Sequence, residues 1–341
     1  MSAPSCRIEL VAGQSGRGLR LDHFVRQHCP TLSRSRIQEL IGEARVLVDG
    51  VPSKAARKLR GGEKVYVEAE ERPPLVAEPE PIPLEILYED RDVLVVNKPA
   101  GMSVHAGAGH TRGTLVNALL GRGQSLSRGA AVTDDLRPGI VHRLDKETSG
   151  VIAIAKNDFA HAKLADAFRS RAVQKTYIAL AEGRFEKTTG KIDWPIGRDP
   201  VRRTRMKALA GPIAGRSHRL AGRARQALTE WHKLADLGPA TLLEVQLRTG
   251  RTHQIRVHFS ALKRPLVGDT LYGAAFHLHA GKTALPRLPR QFLHAAKLGF
   301  AHPRTGEWIE TRAPLPADLR EYLQHLARAE GRSLAAAEAY F

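Results

Sequence analysis

Apolar positions recur with two different periods along this chain, and the change of period divides it. Near the start Leu21, Phe24 and Val25 fall three and four residues apart, the spacing that places side chains on one helix face. Ser33 stands where a helix N-cap belongs, ahead of a second apolar face made by Ile37, Leu40 and Ile41. The pattern then shortens: Val46-Leu47-Val48 runs into Asp49-Gly50, a tight-turn signal, and Lys64-Val65-Tyr66-Val67 offers a second strand. These predict a small helix, helix, hairpin unit over residues 18–70, preceded by an N-terminal extension over 1–17. The Pro- and Glu-rich stretch 71–83 has no periodicity and predicts a stiff spacer.

From residue 84 to 325 the apolar runs are short. Ile86-Leu87-Tyr88, Val93–Val96, Tyr177–Leu180, Leu242–Leu247 and Ile255–Phe259 predict strands, while Thr114–Leu120 and Phe159–Arg171 predict helices. Hairpin-like strands with interspersed helices predict an α+β domain on a mostly antiparallel sheet. Residues 326–341 predict an Ala-rich helical tail.

Charge changes the picture more than composition does. The formal net charge is +18, which points to a polyanionic partner: RNA, DNA or an anionic surface. The excess is clustered, with nine Arg or Lys against the single acid Asp199 between Gly197 and Arg225. A basic loop of this kind suits phosphates, in a salt-sensitive way. No apolar stretch is long enough to cross a membrane, and residues 1–14 lack the apolar core of a signal peptide, so a cytoplasmic protein is expected. The two cysteines, Cys6 and Cys29, form no closely spaced pair, which speaks against thiolate zinc sites and disulfides. His277 and His279 have no obvious third ligand nearby, so an exposed loop is expected there and no metal. Gly107, Gly109 and Gly113 follow a strand, but their spacing is wrong for a dinucleotide loop.

The segment of greatest chemical interest is His142-Arg143-Leu144-Asp145-Lys146-Glu147-Thr148-Ser149-Gly150. It lies between the runs Ile140-Val141 and Val151–Ala155, and short segments so placed present side chains to solvent. Asp145 has cations on both sides, which favour its ionised form. On these grounds alone a turn aspartate in a surface ion pair fits equally well.

The order His142, Arg143, Leu144, Asp145, Lys146, Thr148 and Gly150 resembles the active-site signature of the large-subunit ribosomal RNA pseudouridine synthases. The resemblance implies that Asp145 is the catalytic carboxylate, through a covalent adduct or a glycal-like intermediate. Arg251-Thr252-His253-Gln254-Ile255-Arg256-Val257-His258 resembles the second signature, whose Arg pairs with that Asp; this implies Arg256. Lys175-Thr176-Tyr177 resembles the segment of the active-site Tyr, which implies that Tyr177 stacks on the flipped uracil or accepts the proton from its carbon 5. Arg143 matches the residue that fills the space left by the flipped base. Pro265–Asp269 with Leu271-Tyr272-Gly273, and Leu293-His294-Ala295 with His302-Pro303, resemble family segments of architectural role.

Leu21-Asp22, Ser33-Arg34-Ser35-Arg36 and Val46-x-Val48-Asp49-Gly50 resemble the alpha-L, or S-four-type, RNA-binding domain. Arg34, Arg36, Arg57 and Lys58 are its candidate RNA contacts, with Arg202, Arg203 and Arg205 in the basic loop. The segment between Arg205 and Glu230 is longer than the family pattern suggests, which bears on target choice. The resemblance implies an isomerase without cofactor or metal, acting on large-subunit ribosomal RNA; nothing in the sequence calls for more than a monomer. The competing readings are a silent RNA-binding or ribosome-assembly factor, the same chemistry on transfer RNA, and a nucleoside hydrolase using Glu147 as a second carboxylate.

Overall fold

Along Gln174–Glu182, Tyr177, Ala179 and Ala181 belong to one apolar cluster and Ile178 and Leu180 to another. A strand whose two faces both pack has this period of two. The computed structural model describes residues 5–30, 32, 34–70, 77–106, 112–123, 126–127, 137–202, 204–209, 224–281 and 283–341. They form two units, Met1–Leu75 and Val76–Phe341.

The larger unit is built on a nine-stranded sheet. Its strands run in the order Glu85–Glu89, Val93–Lys98, Ser149–Ala155, Leu293–Ala301, Gln174–Glu182, Ala240–Leu247, Leu228–Asp236 and Thr189–Asp193, with Trp308–Arg312 paired to Leu293–Ala301. Among the described residues one contact is parallel, His294 to Ser149 and Ala295 to Gly150, joining strands far apart in sequence; the other pairings of this sheet are antiparallel. This is the α+β class and the mostly antiparallel sheet that the sequence predicts. Helix Leu115–Gly121 begins on a capping box, in which Thr114 and Asn117 satisfy each other's backbone N–H. Helix Asp158–Ser170 is capped by Asn157, whose side chain accepts from the Ala160 N–H.

Four expectations are corrected. Ile255–Phe259 is not a strand but part of helix Gln254–Ala261. All residues from Gln254 to Phe259 are buried, so the alternation of Ile255, Val257 and Phe259 with polar residues marks no exposed face. The residues set apart as an extension supply strand Ser5–Val11, paired along Lys64–Glu70 with Ile8 opposite Val67. The second half of the proposed spacer lies against helix Leu115–Gly121: Glu80 N–H donates to the Asn117 carbonyl at 2.9 Å and Asn117 Nδ2 donates to the Glu78 carbonyl at 2.7 Å. The tail boundary at residue 326 cuts helix Ala317–Ala329, and the following 3-10 turn Ala335–Tyr340 buries Ala337 and Tyr340 in the core.

In the smaller unit helices Leu21–His28 and Arg34–Gly42 bury Leu21, Phe24, Val25, Ile37, Leu40 and Ile41. Asp49 and Gly50 have φ of 51° and 76°, as a type I′ hairpin turn requires. Ser33 lies outside the described residues. No helix among the described residues is long and apolar enough to cross a membrane.

One buried polar contact ties the sheet to pH. His294, fully buried, donates from Nε2 to the Ala313 carbonyl at 3.0 Å and accepts the Ser149 hydroxyl at Nδ1 at 3.0 Å. Burial pushes its pKa down to about 4. The unfolded chain therefore binds a proton below about pH 6.5 that the native chain refuses. Stability is full above that pH and falls as pH drops toward 4, by about 2 kcal/mol from this group at pH 5. Thermal melts at pH 7 and 5 check this: the difference in Tm should shrink in His294→Gln.

Candidate active site

The loop carrying Asp145 leads into strand Ser149–Ala155 and is fixed from below. Gly150 has φ of +114°, and a Cβ there would lie 2.2 Å from the Ala295 carbonyl oxygen, so only glycine lets the loop meet the neighbouring strand. Thr148 N–H closes a turn onto the Asp145 carbonyl at 3.0 Å. The next two carbonyls accept from buried cations. Lys98 Nζ donates to Lys146 O at 3.1 Å, and also to Pro99 O and Met102 O at 2.6 and 2.9 Å. Arg290 Nη1 donates to Glu147 O at 3.0 Å, while its Nε and Nη2 grip Asp318 at 2.6 and 3.0 Å.

Burial pushes the Lys98 amine down to about 7, against the pull of Glu147. Three carbonyl partners match the three protons of an ammonium, so this cage fits the charged form. In the sequence Lys98 stands out only as part of a turn, because lysine is ordinarily a surface residue. Lys98→Met should leave the Pro99, Met102 and Lys146 carbonyls without their buried donor and cost about 2–4 kcal/mol, read by urea unfolding.

Helix Gln254–Ala261 delivers Arg256 to the carboxylate. Arg256 Nη1 donates to Asp145 Oδ2 at 3.3 Å, while Nε and Nη2 form a bidentate pair with Asp269 at 2.7 and 2.9 Å. Burial opposes the guanidinium charge, but Asp269 and then Asp145 outweigh it and raise its pKa. The ring of Tyr272 lies 5.0 Å beneath the guanidinium carbon. Arg256 is thus the shared cation of two carboxylates: one buried and bidentate, the other 17 % exposed and facing the cavity.

A polar chain holds the helix. Thr249 Oγ1 donates to Gln254 Oε1 at 2.7 Å, Gln254 Nε2 donates to Thr229 Oγ1 at 3.0 Å, and Thr229 Oγ1 meets His258 Nδ1 at 2.8 Å. His258 Nε2 lies 2.9 Å from the Trp194 carbonyl, which must accept, so Nδ1 takes the Thr229 proton.

His253, at the helix N-cap with φ of 55°, is a contact the sequence reading leaves without a role. Its Nδ1 is 2.8 Å from the Tyr272 hydroxyl and its Nε2 is 3.9 Å from Asp145 Oδ1. Tyr272 Oη already accepts from the Met206 N–H at 3.0 Å. Its own proton is then free for His253 Nδ1, which leaves the Nε2–H turned to Asp145. Burial lowers the His253 pKa, in keeping with a neutral ring.

These residues border a cavity of about 380 Å³ lined by Arg143, Asp145, Tyr177, His253 and Arg256 among others. The structure therefore brings together the four residues singled out for chemistry and base flipping. Arg143 is exposed. Tyr177 is buried, and burial, followed by the charge of Asp145, raises its pKa so that it stays a phenol at neutral pH. Glu147 is absent from the lining; its carbonyl is held by Arg290 and its charge acts on Lys98.

The remaining candidates lie elsewhere. Arg36 pairs with Glu39 at 3.0 Å and is only 11 % exposed. Arg57 donates to Ser53 and Glu63, while Lys58 is exposed. Arg34 lies on helix Arg34–Gly42. Arg202 is exposed and Arg205 half-buried near the hairpin of Ile196–Arg198 and Met206–Ala208; Arg203 lies outside the described residues. His277 and His279 are exposed, and no group of three or more His, Cys, Asp or Glu among the described residues could hold a metal.

Comparison with known proteins gives the chain its family. Residues 92–261 match the RNA pseudouridylate synthase family. An uncharacterized RNA pseudouridine synthase of Bacillus subtilis is 39% identical over 322 residues, 94% of this chain and 99% of that one. The ribosomal large subunit pseudouridine synthase D of Xanthomonas campestris is 42% identical over 330 residues, 95% and 94% of the two chains; that of Nitrosomonas europaea is 40% identical over 318 residues, 93% and 87%. Among solved structures, human RNA pseudouridylate synthase domain containing 1 aligns with TM-score 0.53 at 28% identity, over 74% of this chain and 96% of that one. The chain belongs to the RNA pseudouridine synthases, and is an isomerase.

Proposed function

We propose that this isomerase converts uridine to pseudouridine in large-subunit ribosomal RNA, with Asp145 as the catalytic carboxylate. The observation that carries the reading is an exposed-edge carboxylate in a cavity, held by an arginine whose charge is already anchored by Asp269. The substrate class follows the relatives named ribosomal large subunit pseudouridine synthase D. In the reaction the bond from ribose C1′ to uracil N1 breaks, the base turns, and C1′ joins C5; the C5 proton leaves and N1 gains one. No electrons are exchanged with a partner. Asp145 acts on the sugar, either as nucleophile or by stabilising a glycal-like intermediate. Arg256 pairs with it and fixes its rotamer.

Arg143 fills the place vacated by the extruded base, offsetting part of the few kcal/mol that unstacking costs. Tyr177 stacks on the base; its raised pKa favours the ring's role over a resting phenolate that would abstract a proton. The smaller unit and the Arg202–Arg205 region capture RNA. A nucleoside hydrolase is disfavoured, because Glu147, its required second carboxylate, does not line the cavity. Pseudouridine mapping of ribosomal and transfer RNA from cells with and without the gene tests the substrate: loss of sites in large-subunit ribosomal RNA is expected, and loss confined to transfer RNA would overturn it.

A further inference from the structure

Charge is distributed unequally around the cavity. Around Arg256 two carboxylates, Asp145 and Asp269, share one cation. Arg171, Lys175 and Arg251 also line the cavity, and none of them is ion-paired with a carboxylate among the described residues. Lys175 and Arg251 are half-buried. Burial first, and then the charges of Arg171 and Arg251, push Lys175 down to about 8. Burial, then Arg225 and Arg171, lower Arg251 as well. Lys175 and Arg251 thus each have neighbours of like sign.

Their placement is built into the backbone. Arg171 ends helix Asp158–Ser170 in the left-handed region, with φ of 65°, a conformation that ordinarily falls to glycine at helix ends. Lys175 runs past the Phe168 ring, its Nζ 6.0 Å from the centroid. Arg251 is oriented by a hydrogen bond from Nε to the Gln226 carbonyl at 3.1 Å, beside Arg225. In a basic protein isolated surface cations are ordinary. Like charges gathered on one cavity wall, two of them partly desolvated, are destabilising unless an anion joins them.

We infer that Arg171, Lys175 and Arg251, with Arg225 behind them, form a subsite for a backbone phosphate of the nucleotide seated in the cavity. The inference deepens the proposed function and rests on its reading that a nucleotide of RNA enters here. A phosphate held by these cations orients the nucleotide within the cavity that Asp145 and Arg256 also line. Oxygens of one phosphate can accept from several of these donors at once, so the contributions should be strongly non-additive.

The test measures binding of uridine, uridine 5′-phosphate and uridine 3′-phosphate to the full chain at low salt, by calorimetry or ligand-observed magnetic resonance. The wild type should bind one of the two nucleotides at least about tenfold more tightly than uridine, with an advantage that shrinks as salt rises. In Lys175→Gln, and in Lys175→Gln with Arg251→Gln, that advantage should fall below about threefold while uridine affinity holds, which also reports an intact cavity. Equal binding of uridine and both nucleotides by the wild type, no binding of any of them, or an advantage that survives in the double variant, would overturn the subsite. Failure of the isomerase reading looks different: the phosphate advantage would be present while RNA yields no pseudouridine.

Discussion

Arg256→Met should lower pseudouridine formation by about a thousandfold and should also destabilise the fold. The two effects have different origins. The activity is lost because Asp145 loses its guanidinium partner, at 3.3 Å, and with it a fixed rotamer. The stability is lost because Asp269, 2% exposed, would keep its charge without its bidentate partner. Breaking a buried pair from one side costs about 3–5 kcal/mol. Removing both partners, as in Arg256→Met with Asp269→Leu, should recover much of the stability and none of the activity, since paired buried charges contribute little net. Urea unfolding and turnover on the same samples separate these outcomes. Normal turnover in Arg256→Met would remove the relay from the mechanism.

The parts of the fold legible in sequence were those with local causes. Asp49-Gly50 marked its hairpin because a type I′ turn needs two residues at positive φ. Helix Asp158–Ser170 showed its period, because one face is buried and the other wet. What misled was burial from all sides. Ile255–Phe259 was read as a strand because apolar and polar residues alternate there, yet Arg256 and His258, with Gln254 before them, are each buried against a specific partner on a helix. Polarity reports exposure only where buried polar groups are few. Strand Ser5–Val11 was missed for another reason: its partner Lys64–Glu70 lies far along the chain, and pairing at that distance leaves no local mark.

The candidate site divides in the same way. Asp145, Tyr177, Arg143 and Arg256 were named from motifs, and they line one cavity. Asp269 stood in a turn read as architectural, although it makes the shortest contacts to Arg256. Lys98 and Arg290 act on carbonyls of the Asp145 loop, and a backbone acceptor has no signature in the side-chain code. His253 could have been suspected from its place in the second motif, but its contact with Asp145 exists only because Tyr272 turns the ring.

The largest effect expected of any single substitution is at Asp145. Asp145→Asn keeps the shape and removes the charge, and should lower turnover by at least about ten-thousandfold. Stability should change by less than about 1 kcal/mol, since Arg256 keeps its pair with Asp269 and the carboxylate lost is on the open side of the cavity. An inactive variant that is also unfolded would point instead to a structural carboxylate.

Release of tritium from RNA labelled at C5 of uracil is the most direct measurement, because joining C1′ to C5 expels that hydrogen and hydrolysis of the base does not. Wild-type protein should release tritium in step with pseudouridine and yield no free uracil, and Asp145→Ala should release none above background. Equal release by the two proteins would contradict the catalytic role of Asp145, and free uracil without tritium release would contradict isomerisation itself.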